Sequence, residues 1–187
     1  VSPPGNLYCS IVLRPKVDSG RLGEISLVAA LAVRDAVAVQ LPPETPVELK
    51  WPNDVLAAGR KISGILVEAE KLPDEAATAV IVGIGVNIVS APKDAAYPAT
   101  CIAALSRVPK VSKLLSAVVA SLDRRIDGWC RNGFAPVRDE WMSHAHRLGS
   151  RVAASGGVSG TFAGLDETGA ILIAGAHEKE LCGGERD

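Results

Sequence analysis

The run ATAVIVGIGVNIV, residues 77–89, constrains the fold more than any other stretch of this chain. Val and Ile are stiff at χ1 and pack well on a pleated surface, so so dense a run belongs in a strand. Its near-continuous apolar character predicts a strand buried on both faces. A sheet must therefore be assembled around it from the neighbouring segments. Leu7 to Leu13 supplies a β-rich run closed by Pro15, and VELKW a short strand at residues 47–51. NDVLAAGRKISGILVEAE reads as a hairpin turning at Ala58-Gly59-Arg60.

Helices fill the remaining segments. RLGEISLVAALAVRDAVAVQL repeats apolar residues at helical spacing, placing Ile25, Val28, Ala29, Ala32, Ala36 and Val39 on one buried face; PPETP ends it. VSKLLSAVVASLDRRIDGWCRNG predicts an amphipathic helix capped by Ser112, and APVRDEWMSHA a shorter one. From Leu148 onward Gly, Ser and Thr dominate, which predicts short strands with turns at Gly156-Gly157 and at Asp166–Gly169. The expected class is α+β: a mixed or antiparallel central sheet flanked by helices over residues 1–145, then a β module at 148–187. That module is too small to be very stable alone and should dock on the main domain.

Composition narrows the functions. Aromatic residues make up 4% of the chain, so the core is mostly Val, Ala, Leu and Ile. A formal charge of −1 offers no electrostatic footprint for nucleic acid or an anionic membrane. Cys9, Cys101, Cys130 and Cys182 form neither a C-x-x-C pair nor a zinc pattern, so reduced thiols in a cytoplasmic protein are expected. ISLVAALAV is too short to span a bilayer, and VSPPGNLYCS has no signal-peptide pattern.

Chemistry concentrates in KWPNDVLAAGRKISGILVE, residues 50–68. Lys50, Asn53 and Asp54 on one turn suit a polyphosphate with its Mg²⁺, since an ammonium meets phosphate and a carboxylate meets the metal. The same Pro-Asn-Asp is equally a turn that supports its own backbone. Lys61 precedes Gly64, whose missing side chain leaves room for a ligand on the strand; alternatively Gly64 marks a bulge and Lys61 is a surface charge. Gly83 and Gly85 alternate, so both lie on one face, as a flat floor under a planar ring or as close helix packing. The dinucleotide pattern G-x-G-x-x-G fails at Ile88. Asn87 stands where it can read a base edge. His144 and His146, two apart, are not a helical metal pair.

KWPNDVLAAGRKISGILVE followed by VIVGIGVNI closely resembles the biotin protein ligases, the biotin–[acetyl-CoA-carboxylase] ligase family. SPPGNLYCSIVLRP, PATCIAAL and GTFAGLDETGAILI are similar to further segments of that family, in order along the chain. The resemblance implies a class II synthetase-like catalytic domain and a small SH3-like β-barrel C-terminal module. It implies activation of biotin with MgATP to biotinyl-5′-AMP, then transfer to a lysine of a biotin carboxyl carrier protein of acetyl-CoA carboxylase or another biotin-dependent carboxylase. By the same resemblance Lys50, Lys61 and Asp54 are catalytic. Lys61, Gly64, Leu66, Gly83 and Gly85 bind biotin, Lys50, Asn53, Asp54 and Asn87 bind ATP, and Asp54 meets Mg²⁺.

The family carries a Gly-Arg-rich loop ahead of the Ser-Pro-Pro-Gly segment, and these residues begin after it. A fragment of a longer protein, with weak or absent ligase activity, is therefore expected. A non-catalytic biotin- or nucleotide-binding relative and a lipoate–protein ligase-like enzyme are the alternatives. The Lys-Trp-Pro-Asn-Asp form favours biotin over lipoate. A homodimer edge is expected at Glu68-Ala69-Glu70, and no helix-turn-helix pattern is legible.

Overall fold

The computed structural model describes residues 4–71, 78–92, 97–153 and 158–178. Five antiparallel strands form the main sheet: β1 (Leu7–Leu13), β2 (Val47–Lys50), β3 (Asp54–Ala57), β4 (Arg60–Lys71) and β5 (Thr78–Val86), in the spatial order β1-β5-β4-β3-β2. β3 and β4 are joined through Ala58 and Gly59, both at positive φ (49° and 71°). That is the backbone hand a two-residue hairpin loop needs to match the sheet twist.

The helices α1 (Ile25–Ala38) and α2 (Val111–Asn132) cover one face of this sheet, and α3 (Ala135–Ser143) packs against both helices and the C-terminal strands. α1 is built from small and branched apolar residues and is buried nearly all round, Leu27, Ala30, Leu31, Val33 and Val37 included. Val39 lies just past its end and is 75% exposed, so it does not belong to the buried face expected for it. A 3₁₀ turn at Ser19–Glu24, with the Asp18 carboxylate accepting from Gly20 N, leads into the helix.

α2 buries Leu114, Val118, Leu122 and Trp129 along one stripe. Its cap is Lys110, in extended geometry directly after Pro109; Ser112 already lies inside the helix, so the expected serine cap is not formed. The helices are clamped by charge at their crossing. Arg125 Nε and Nη2 reach Asp35 Oδ2 of α1 at 2.8 Å, and Nη2 reaches Glu140 Oε1 of α3 at 2.7 Å. The buried Trp129 ring donates its N–H to the Glu24 carboxylate and lies under the Arg21 guanidinium, 4.7 Å from its centroid.

β5 departs from expectation. Val80, Val82, Ile84 and Val86 are buried, while Ile81, Gly83 and Gly85 are only half-buried. It is covered on one face, and the two glycines, continuous with the apolar run in sequence, lie on the other. β4 likewise has β3 on one side and β5 on the other at its start. Its end, Glu68-Ala69-Glu70, pairs with Ile81, Val80 and Ala79 of β5 and has no strand partner on its other side among the described residues.

The C-terminal strands β6 (Arg151–Ala153), β7 (Val158–Leu165) and β8 (Ile171–Glu178) form one three-stranded antiparallel sheet. The turn at Asp166–Gly169 is present, held by the Asp166 carboxylate accepting from Thr168 and Ala170; the turn expected at Gly156-Gly157 lies outside the described residues. This sheet shares the main core through Phe162 and Leu165. Trp51 Nε1 donates to Gly169 O at 3.1 Å, and a Cβ on Gly169 would fall 2.6 Å from Leu27 Cδ1. Between the sheets the chain leaves α3 alongside β2, exchanging Leu49 N→His144 O and His146 N→Leu49 O at 2.8 Å each.

Candidate active site

Strand register draws one continuous row across the uncovered face of the main sheet. Lys50 of β2 pairs with Asp54 of β3, Asp54 with Gly64 of β4, Gly64 with Gly85 of β5, and Gly85 with Tyr8 of β1. Directly opposed residues share a face. The next row is Leu66, Gly83 and Ser10. Tyr8, Asp54, Lys61, Gly64, Leu66, Gly83 and Gly85 all line one open cavity of about 520 Å³. That is the size range of small-molecule sites.

Lys61 reaches this row only through an irregularity. Val55 pairs with Ser63 but Leu56 pairs with Lys61, so Ile62 is an extra residue in β4. In a regular strand Lys61 and Gly64, three apart, would face opposite ways; the bulge returns Lys61 to the face of Gly64. The bulge therefore lies at Ile62 rather than at Gly64, and it aims the lysine. Gly64 has a separate task. A Cβ there would lie 3.2 Å from Lys61 Cε and 3.3 Å from its Nζ, so the bare backbone is the bed on which the lysine lies.

The Lys61 ammonium ends 2.5 Å from Asp54 Oδ1. The contact is close as an ion pair although Oδ1 receives no hydrogen bond of good angle. Asp54 is 6% exposed, and the Lys61 ammonium is the cation beside it. The backbone of Lys61 is held as well: its N–H donates to Pro98 O at 2.9 Å, and its carbonyl accepts from Thr100 N at 2.8 Å.

Gly83 and Gly85 lie side by side on the open face and line the cavity. A Cβ on Gly85 would touch the Tyr8 ring at 3.6 Å, and one on Gly83 would touch Leu66 at 3.7 Å. The two asparagines carry structural bonds. Asn53 Nδ2 donates to Ile65 O at 2.7 Å, tying the turn to β4, and Asn87 Nδ2 donates to Thr100 O at 3.0 Å. Asn53 lines the cavity and Asn87 is not among its lining residues; both amides have protein partners. Lys50 is not among the residues that line this cavity. It lines a second cavity of about 530 Å³ beside the C-terminal sheet, with Trp51, Pro52, His146, Arg147 and Arg151. The Trp51–Pro52 peptide bond in this wall is cis.

Residues 4–143 match the model of the biotin/lipoate A/B protein ligase family. The chain belongs to this family. It is 35% identical to a biotin–[acetyl-CoA-carboxylase] ligase of Paracoccus denitrificans, over 97% of this chain and 79% of that protein. It is 30% identical to the bifunctional ligase/repressor BirA of Bacillus subtilis, covering 92% of this chain but 55% of that protein, so it spans little more than half of that relative. The structure is similar to the biotin protein ligase of Aquifex aeolicus in complex with biotin and ATP, with a TM-score of 0.76, 30% identity, and coverage of 90% of this chain and 71% of that one.

In this member of the biotin/lipoate ligase family several site residues were not evident in the sequence. Tyr8 and Ser10 have a signal, the alternation of LYCSIVL, that puts them on one face with Val12. Asn6 accepts from Ile88 N, Val89 N and Ser90 N at 2.8, 2.9 and 3.3 Å, anchoring the turn after β5. Tyr97 has no signal in its local pattern, yet its ring stacks on Lys50. Cys9 lines the cavity, but burial pushes its thiol pKa up, which leaves it protonated and a poor nucleophile. Among the described residues no helix is long and apolar enough to cross a membrane.

Proposed function

We propose that this chain is a biotin protein ligase, or the catalytic body of one. It activates biotin with ATP and passes the biotinyl group to a lysine of a biotin carboxyl carrier protein. The observation that carries this reading is Lys61, turned by the bulge at Ile62 and laid over Gly64 at the end of a glycine-floored cavity. A slot with flat backbone walls accepts a fused-ring ligand, and one ammonium at its end meets the ligand's carboxylate. Gly83, Gly85 and Leu66 supply the floor and side of that slot.

The chemistry needs no protein nucleophile. A biotin carboxylate oxygen attacks the α-phosphorus of ATP. The new C–O–P linkage forms as the bond to the β-phosphate oxygen breaks, and pyrophosphate leaves. The acceptor amine then attacks the acyl carbon, an amide forms, AMP leaves with the electron pair, and the amine loses its proton. Both steps bring anions together or build negative charge, so placed cations and orientation are what the protein must contribute. Lys61 holds the acyl end, Asp54 holds Lys61, and Lys50 serves the phosphates. Asn53 and Asn87 act toward ATP chiefly by fixing the turn and the strand end.

Mg²⁺ would enter with the nucleotide. Among the described residues no group of three or more His, Cys, Asp or Glu side chains gathers. Asp54, the one carboxylate lining the cavity, already carries the Lys61 ammonium. This donor set does not fit a metal held by the protein, and no step is derived through one.

The same proposal covers the domain organisation: residues 1–145 catalytic, and 148–187 an SH3-like module of which three strands are described. It also covers a cytoplasmic location and, at the one-sided end of β4, a homodimer. The test is calorimetry with biotin, alone and with ATP, together with mass spectrometry of a carrier domain for the biotinyl adduct. Lys61→Ala is expected to weaken biotin at least tenfold, the value of a charge-assisted hydrogen bond. Unchanged biotin binding in that variant sinks the assignment, and equal binding of lipoate would move the chain to the lipoate branch of the family.

A further inference from the structure

Two lysines of the site share one aromatic ring. Lys50 Nζ stands 3.6 Å from the centroid of Tyr97, and Lys61 Nζ stands 5.4 Å from the same centroid. Lys50 lines the cavity beside the C-terminal sheet and Lys61 the glycine-floored one, so Tyr97 joins the two. Their tethering differs. Lys61 has Asp54 as its counter-ion. Among the described residues no carboxylate pairs with Lys50, and the face of Tyr97 is its contact. The ring itself is placed by backbone: Pro98, Ala99 and Thr100, the next three residues, run beside Lys61 as a short parallel bridge.

Two ammonium groups on one ring repel each other and would swing apart on their flexible stems. The negative face of an aromatic ring attracts both, with an energy that grows as water is excluded. We propose that Tyr97 is a positioning residue. Its ring holds Lys50 and Lys61 at a set separation, so that an anion, a nucleotide phosphate in the reading above, is met from both sides. This rests on the proposed ligase function. It adds a residue that acts through Lys50 first, because that ammonium is the nearer and, among the described residues, lacks a carboxylate.

The test pairs Tyr97→Phe, which keeps the ring face, with Tyr97→Leu, which keeps apolar bulk and removes it. In calorimetry Tyr97→Leu is expected to raise the Kd for ATP about tenfold, within the range of a partly desolvated cation–π contact. Biotin affinity should change by less than about threefold, because Asp54 still holds Lys61. Tyr97→Phe is expected to restore ATP binding to within about twofold of the parent, and the melting temperatures of the two variants should agree. An ATP Kd unchanged in Tyr97→Leu overturns the proposal, and so does equal damage in Tyr97→Phe.

A ligand-independent arm reads the contact itself. The ε-methylene protons of Lys50 should show an upfield ring-current shift in the parent and in Tyr97→Phe, lost in Tyr97→Leu. Absence of that shift in the parent refutes the ring contact. Its presence in a parent that binds neither biotin nor ATP overturns the positioning role through the function reading, with the contact itself intact.

Discussion

The two faces of the main sheet are made by opposite means. On the helix side, Val80, Val82, Ile84 and Val86 of β5 send branched side chains into the shared core, and the residues are buried. On the other side the same strand presents Gly83 and Gly85, flanked by Leu66 at 59% exposure and Tyr8 at 48%. One face is specified by side chains that fill space and the other by side chains that are missing. Stability and ligand room thus come from alternate residues of a single strand.

The sharpest way to break that comparison is to truncate one residue on each face. Ile84→Ala is expected to cost roughly 2–5 kcal/mol, because a buried branched side chain leaves a cavity that close packing cannot refill. Leu66→Ala should stay within about 0.5 kcal/mol of the parent, as surface truncations do. Urea denaturation followed by circular dichroism measures both. Similar losses at the two positions would mean that the open face is also part of the folding core.

A smaller effect, but on binding, is expected from Gly64→Ala. The added methyl meets the tip of a flexible lysine rather than backbone, at 3.2 and 3.3 Å, so the fold should lose under about 1 kcal/mol while Lys61 is pushed off its bed. Biotin affinity should then fall several-fold with the melting temperature nearly unchanged. A large loss of stability with intact binding would reverse the roles assigned to Gly64 and Lys61.

The smallest effect belongs to the charges on the covered side. The hydrogen bond from Arg125 pulls the Glu140 carboxyl below its ordinary pKa, and Arg125 itself is pushed further up by Glu140 and Asp35. A carboxylate with a depressed folded pKa stabilises above the unfolded pKa, and the gain fades as pH falls through the folded value. Glu140 is well exposed, so its share is under about 0.5 kcal/mol. Comparing Glu140→Gln with the parent should show a small gap in urea midpoint at pH 7 that closes below the normal carboxylate range. Biotin affinity should not follow it.

Much of the architecture was legible because local pattern and burial agree. The hairpin at Ala58-Gly59, the three helices and the turn at Asp166–Gly169 each carry their own punctuation in Pro, Gly or Asp. What was not legible depends on partners distant in sequence. β5 looked two-sided because its glycines sit among valines and isoleucines, and nothing local says that one face stays uncovered. Ser112 looked like a cap because Pro109 and the extended Lys110 were not recognised as the helix start. Of the site, Lys61, Gly64, Gly83, Gly85 and Leu66 were named from sequence and do meet at one cavity. Lys50 was named too, but it opens on the neighbouring cavity. Tyr97 was missed because its role arises only from two lysines folded against it.

The extra residue at Ile62 has one more consequence. It is a change of phase: upstream of it β4 counts in one parity, downstream in the other. Downstream, Ile65 turns into the core while Gly64 and Leu66 line the cavity; upstream, Lys61 joins them only because of the extra residue. Were β4 to pair without this step at unchanged length, Lys61 and Gly64, three apart, would face opposite ways, so the downstream apolar alternation would stay in frame while the lysine left the ligand face. The chain could then fold with its usual core and lose its chemistry outright.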